Sequence, residues 1–269
     1  MTNINTSLTN QTKKPRFSVA IQSEVYQNMI KSTLGDKKRV MNFIASISSA
    51  VAVNPALQEC DASTILSGAL VGESLGLSPS PSLGHYFLVP YNDNKNNRKV
   101  AQFQLGYIGM LNLAMKTGMY KRIVVSEIKE GELKKFNKLT EEYEFVLVED
   151  DDEREKLPTI GYFAYFEMLN GFSKTMYWTR AKMEKHASRY SQAYRNKYGS
   201  SFWIQDFDLM GRKTMLRQLI SKYGVMSAEL QEAYRVDQAV VKEDKSVEYI
   251  DNDNSDLKDD KDEVQLKED

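Results

Sequence analysis

The sequence predicts an α+β fold, with helices packed on an antiparallel sheet that contains β-hairpins. Three observations lead there. Apolar residues recur at helical spacing as far as Gly76, short strand-like runs take over between His85 and Trp178, and helical spacing returns from Arg180 to Tyr223. Strands joined by short, turn-rich loops pair antiparallel, because a parallel pair needs a long crossover. With 41% hydrophobic and 10% aromatic residues in 269, the chain has enough apolar surface for a sizeable core.

The elements follow in order. Residues 1–15 are mostly polar and aperiodic, so a flexible polar arm is expected there. Val25, Met29 and Ile30 share one helical face that ends near Gly35. Asp36 is placed to cap a second helix carrying Val40, Phe43, Ile44, Ile47 and Val51 as far as Asn54-Pro55. Asp61 is placed to cap a third, with Ile65, Leu66, Ala69 and Leu70 on its buried side and Gly76 beyond its end. Runs at 85–91 and 99–105 flank a polar loop and read as a hairpin. Residues 107–117 form a helix that stops at Gly118, and strands are expected at 123–128, 143–148, 160–168 and 172–178. Asn170-Gly171 signals a type I′ turn between the last two, and the acidic stretch 149–155 reads as a solvated turn. Helices at 180–197 and 206–223 close a core spanning 16–235, and an acidic disordered tail is expected over 236–269.

Several function classes fall away. No run approaches the roughly 18 apolar residues of a membrane span and no signal-like segment opens the chain, so a cytoplasmic protein without membrane attachment is expected. Cys60, His85 and His186 are a thin supply for a zinc site, and Cys60 reads as a small buried thiol. Gly211-Arg212-Lys213-Thr214 lacks the upstream Gly and the Gly-Lys pair of a phosphate-binding loop, so ATP is not expected as a cofactor. Glu127-Ile128-Lys129 and Glu132-Leu133-Lys134 have the spacing of a metal-dependent nuclease, but such pairs are common in strands, and that reading stays remote.

Charge is more informative. Residues 241–269 hold 12 acidic residues and 5 Lys; setting their net −7 against a total of −1 leaves +6 on the rest. Residues 179–223 concentrate this surplus, with ten cations, Arg180, Lys182, Lys185, Arg189, Arg195, Lys197, Arg212, Lys213, Arg217 and Lys222, against Glu184, Asp206 and Asp208. Aromatic residues interleave them, and cations for phosphates beside rings for bases are what a single-strand groove requires. Tyr190, Tyr194 and Tyr198 lie four apart and read better as the buried stripe of an amphipathic helix. In the last helix Leu209, Leu216, Leu219, Ile220 and Tyr223 define the expected core arc, and Lys213 and Arg217 lie just beyond it, placed to grip adjacent phosphates. Lys116, Lys121 and Arg122 surround the turn at Gly118, where compensation of the helix C-terminus explains them equally well. The candidate DNA contacts are therefore Lys116, Lys121, Arg122, Arg189, Arg195, Lys197, Phe202, Trp203, Arg212, Lys213 and Arg217, with core burial an equal explanation for Phe202 and Trp203. No catalytic or metal-binding residue is nominated.

Four blocks then stand out in order: Cys60-Asp61-Ala62-Ser63 leading to Leu75-Gly76-Leu77; Leu83-Gly84-His85-Tyr86-Phe87-Leu88-Val89-Pro90; Gln104-Leu105-Gly106-Tyr107-Ile108-Gly109-Met110, continuing to Leu113-Ala114 and Gly118; and Trp203 with Asp206-Phe207, Met210, Lys213-Thr214 and Arg217. Over about 42–223 the chain resembles the RecT family of phage recombination proteins. The resemblance implies a non-enzymatic protein that binds single-stranded DNA and anneals it to a complementary strand in homologous recombination. It implies a ring or helical filament of identical subunits, no need for ATP, and a phage 5′ to 3′ exonuclease as partner. It also implies a core similar to that of ring-forming eukaryotic annealing proteins. The family's basic positions carry over to Lys213 and Arg217, and less securely to Lys116, where Met115-Lys116 stands in place of a frequent Arg-Arg. No cofactor is required on this reading, with an influence of magnesium left open. The acidic tail is expected either to compete with DNA, to recruit a host single-strand-binding protein or to serve solubility alone. The competing functions are a passive single-strand binder that protects DNA, and a duplex-binding regulator, for which the sequence has no helix-turn-helix signature.

Overall fold

A computed structural model describes residues 16–250 apart from 138, 141 and 200, so the expected arm at 1–15 and the segment 251–269 lie outside the described residues. The elements run α1 (Phe17–Ala20), α2 (Glu24–Leu34), α3 (Lys37–Val53), α4 (Ala62–Ser74), β1 (Tyr86–Asp93), β2 (Arg98–Leu105), α5 (Tyr107–Lys116), β3 (Tyr120–Lys129), β4 (Leu133–Asn137) and β5 (Glu142–Phe145). They continue α6 (Asp151–Lys156), β6 (Thr159–Met168), β7 (Ser173–Thr179), α7 (Arg180–Tyr190), α8 (Gln192–Arg195), α9 (Phe202–Gln205), α10 (Phe207–Tyr223), α11 (Ala228–Val236), β8 (Val240–Val241) and β9 (Val247–Glu248). The architecture is α+β with antiparallel pairing, as expected, and it divides into two units.

The first unit holds α1 to α4, the β1–β2 hairpin and the returning strip Val236–Ile250. Asp36 caps α3 by accepting from the Arg39 N–H at 2.8 Å. Asp61 occupies the cap position of α4 without a side-chain cap bond, and its carboxylate instead lies 3.5 Å from Arg98. Ile30, Ile47, Ile65, Tyr86 and Phe103 are fully buried, each burial stabilising the fold by about 1.5–3 kcal/mol. Tyr86 stacks on Phe103 at 4.8 Å and presses on α4 at Gly72, where a Cβ would come within 2.3 Å of the ring. Val25, expected on the buried face of α2, is 70% exposed; Ile30 and Leu34 carry that face instead. Residues 236–250, expected to lie in the acidic disordered tail, are ordered in this unit. Phe103 N–H donates to Ala239 O and Gln238 N–H to Phe103 O, both at 2.8 Å, and Val240 and Val241 are buried. Residues 236–250 are therefore part of this unit, because the apolar Ala239-Val240-Val241 outweighs the charges that follow it.

In the second unit, Leu105–Arg235, β3, β6 and β7 form an antiparallel sheet in the order β3-β6-β7. Tyr162, Ala164, Phe166 and Met168 of β6 are buried, alternating with the half-buried Phe163, Tyr165 and Glu167 as a half-covered strand requires. α7 and α10 pack on this sheet. Phe136, Tyr143 and Phe145 of the β4–β5 hairpin meet Phe163 and Tyr177, which are cross-strand partners. Gly161 makes room for Tyr177, whose hydroxyl would lie 2.3 Å from a Cβ.

Three expectations change in this unit. The β6–β7 hairpin is where Asn170-Gly171 placed it, but only Gly171 has a positive φ, +85°, and Gly171 N–H donates to Met168 O. That is a three-residue loop ending in a left-handed glycine, not a type I′ turn. The acidic stretch contains α6, capped by Asp150, whose Arg154 turns inward to bond Glu132 at 2.6 Å. The single helix expected over 180–197 breaks at Ser191, whose extended backbone ends α7 and whose Oγ caps α8.

Candidate nucleic-acid interface

Thr179 starts α7, its hydroxyl accepting from the Lys182 N–H at 3.2 Å. Met183 and Ala187 anchor the helix, both fully buried. At 100° per residue, Lys182, Lys185 and Arg189 fall within an arc of about 60° on the exposed side. They form a row about 10 Å long at 1.5 Å per residue. Glu184, the only acid of α7, lies off this arc and is paired with Arg180 at 3.1 Å.

A continuous aromatic cluster backs the row. His186 lies 5.5 Å from Trp178, 4.6 Å from Tyr190 and 6.4 Å from Trp203. Trp203 meets Phe207 at 5.1 Å and Tyr194 at 6.2 Å. Lys182 Nζ stands 4.2 Å over Trp178 and the Arg189 guanidinium 5.3 Å over Tyr190, so cations and rings are interleaved. Arg180 stands apart from the row. It stacks on Phe207 at 3.9 Å and pairs with Asp208 at 3.1 Å. Asp208 also accepts from the Thr159 and Tyr162 hydroxyls, and burial together with this carboxylate pushes the Tyr162 phenol up. Arg180 thus ties the start of α7 to the start of α10, its charge largely offset.

The nominated residues divide sharply. Arg189, Arg195 and Lys197 are exposed, Arg195 donating to Ser188 O at 3.2 Å and Lys197, just past the α8 C-cap Asn196, standing at φ +57°. Phe202 is 56% exposed, whereas its neighbour Trp203 is 7% exposed. Trp203 is therefore a packing residue, its ring taken up by His186, Tyr194 and Phe207. On α10, Arg212 lies 3.6 Å from Glu127, and Arg217 lies 4.5 Å over the Tyr234 ring. Lys213 and Arg217 are half-buried. The core arc of α10 also needs correction: Leu209 is 45% exposed and Tyr223 is exposed, while Gly211, Thr214, Met215, Leu216, Leu219 and Ile220 are buried. Because α10 meets β3, β6, β7 and α5, it buries a wider face than one arc. Gly211, rather than part of a phosphate loop, is a close approach; a Cβ there would lie 2.5 Å from the Tyr162 ring. Lys116, Lys121 and Arg122 are exposed, and Lys121 pairs with Glu167 at 2.6 Å, holding that carboxyl below its usual range.

Lys182, Lys185 and Tyr190, exposed on α7, are not among the residues nominated from the sequence. Their signal was the i, i+3, i+7 spacing of Lys182, Lys185 and Arg189. Tyr190 and Tyr198 do not form the expected buried stripe with Tyr194: they are 47% and 56% exposed, because the break at Ser191 turns only Tyr194 inward. Elsewhere, the Glu132 carboxylate is fully buried and held by Arg154 and by the Lys129 and Val148 N–H groups, a structural clamp. Cys60 is buried, and desolvation pushes its thiol up to about 11, far from a reactive thiolate. Among the described residues no helix is long and apolar enough to cross a membrane.

Comparison with known proteins places this surface in context. The RecT family profile matches residues 41–251. The uncharacterized protein YqaK of Bacillus subtilis (strain 168) is 39% identical over 256 residues, covering 92% of this chain and 82% of that protein. Protein RecT of Escherichia coli (strain K12) is 30% identical over 187 residues, covering 68% of this chain and 66% of that protein. The chain belongs to the RecT family, whose members bind single-stranded DNA and anneal it in recombination.

Proposed function

We propose that the chain anneals complementary DNA strands as a ring or helical filament, using the exposed α7 row as its track for the first strand. The row of Lys182, Lys185 and Arg189, with no acid on its face, carries the reading. Contacts of this kind grip sugar-phosphate chains irrespective of sequence, so partner choice falls to base pairing with the incoming strand. No step of this cycle breaks a covalent bond, so neither ATP nor turnover chemistry is needed. The strands would come from a phage 5′ to 3′ exonuclease, and the acidic C-terminal residues would compete with DNA for the cations, recruit a host single-strand-binding protein or serve solubility alone.

Mixing two complementary oligonucleotides with the protein, with and without ATP and magnesium, tests this directly. Annealing faster than the spontaneous rate, equal with and without ATP, is expected. Binding to each strand without acceleration would leave a passive protecting protein instead. Affinity should also fall as salt rises, with a slope of about −0.7 per phosphate neutralised.

A further inference from the structure

Three exposed rings lie on the α7–α9 segment: Tyr190 beside Arg189, Tyr198 beside Lys197, and Phe202, whose neighbour Trp203 is turned into the core. Exposed large aromatics are costly to leave in water, and here they are interspersed with Arg189, Arg195 and Lys197 along 14 residues. Tyr190 is also backed by His186 at 4.6 Å, which steadies the ring while leaving half of its surface open. Cations and rings recognise different things. A lysine row binds the phosphates of any nucleic acid, whereas a ring needs the face of a base that is not already stacked between two neighbours in a duplex.

Building on the proposed function, we propose that Tyr190, Tyr198 and Phe202 are base-stacking residues, so that this surface holds the bases of an unpaired strand as well as its phosphates. A base lying flat on a tyrosine keeps its Watson–Crick edge open to the incoming strand. The preference for a base-containing strand therefore belongs to the rings and not to the α7 cations.

The test compares a mixed-sequence oligonucleotide with an abasic deoxyribose-phosphate strand of equal length, by anisotropy across a salt series. The parent protein should bind the base-containing strand about tenfold or more tightly than the abasic strand, with parallel salt slopes. Tyr190→Leu/Tyr198→Leu should close most of that gap without changing the slope, and Tyr190→Phe/Tyr198→Phe should restore it. Equal binding of the two strands by the parent overturns the inference and needs no variant to fold. A Leu double variant that keeps the full gap, or that loses slope along with affinity, overturns it as well. A parent that binds neither strand ends the proposed function itself, an outcome distinct from all of these.

Discussion

α7 and α10 carry similar positive charge in sequence, yet they do different work. α10 is wedged against three strands and α5, and its cations meet partners: Arg212 beside Glu127, Arg217 over Tyr234. α7 buries Met183 and Ala187 and turns Lys182, Lys185 and Arg189 outward on one face. The difference teaches that a count of basic residues does not locate an interface. What matters is whether packing leaves the cations on one exposed face, as it does Lys182, Lys185 and Arg189, or holds them half-buried, as it does Arg212, Lys213 and Arg217, because stacking on a ring occurs on both helices and is worth only about 0.5–1 kcal/mol at exposed sites.

The largest effect that would break this comparison is on DNA binding. Lys182→Ala/Lys185→Ala/Arg189→Ala should flatten the salt slope by about 2 and weaken single-strand binding by at least a hundredfold at low salt, measured by anisotropy. Lys213→Ala/Arg217→Ala should cost clearly less affinity; if the α10 pair has the larger effect, the two helices have been ranked the wrong way round. Next comes the clamp that anchors α6. Glu132→Gln should lower stability by about 3–5 kcal/mol in urea unfolding, since it leaves Arg154 poorly matched in a buried site. Burial works to raise the Glu132 carboxyl, but the bonds from Arg154, Lys129 and Val148 outweigh it and hold it below the usual carboxylate range. Its stabilising contribution is therefore complete above the unfolded value of about 4.3 and is lost as pH falls through the lower folded value. Unfolding measured between about pH 5 and pH 2 should show this loss in the parent and a flatter profile in Glu132→Gln. Smaller still, Gly211→Ala should destabilise by about 1–3 kcal/mol through the clash with Tyr162, and a thermal melt with no shift would show that α10 has slack there.

Much of the fold was legible locally. Asp36 was readable as a cap and accepts from the Arg39 N–H at 2.8 Å, whereas Asp61, read the same way, makes no side-chain cap bond. The β1–β2 and β6–β7 hairpins announced themselves through their loops. The errors share a cause. Val25, Leu209 and Tyr223 were assigned to core faces by periodicity, which says that residues share a side but not which side is covered. The acidic tail was read from composition, which averages over Ala239-Val240-Val241 and misses their pairing with a strand more than 130 residues earlier.

By itself, then, the sequence determined most of the alternation of helices and strands, the places of the β1–β2 and β6–β7 hairpin loops, the family, and the concentration of positive charge between Arg180 and Tyr223, since these are carried by the order of residues along the chain. Only the tertiary structure decided which of those charges and rings face outward. Arg180 is offset by Asp208, Arg212 by Glu127 and Arg217 stacks on Tyr234, partners 28, 85 and 17 positions away in the numbering. Exposure is a property of what packs against a residue, and the chain brings those groups together only on folding.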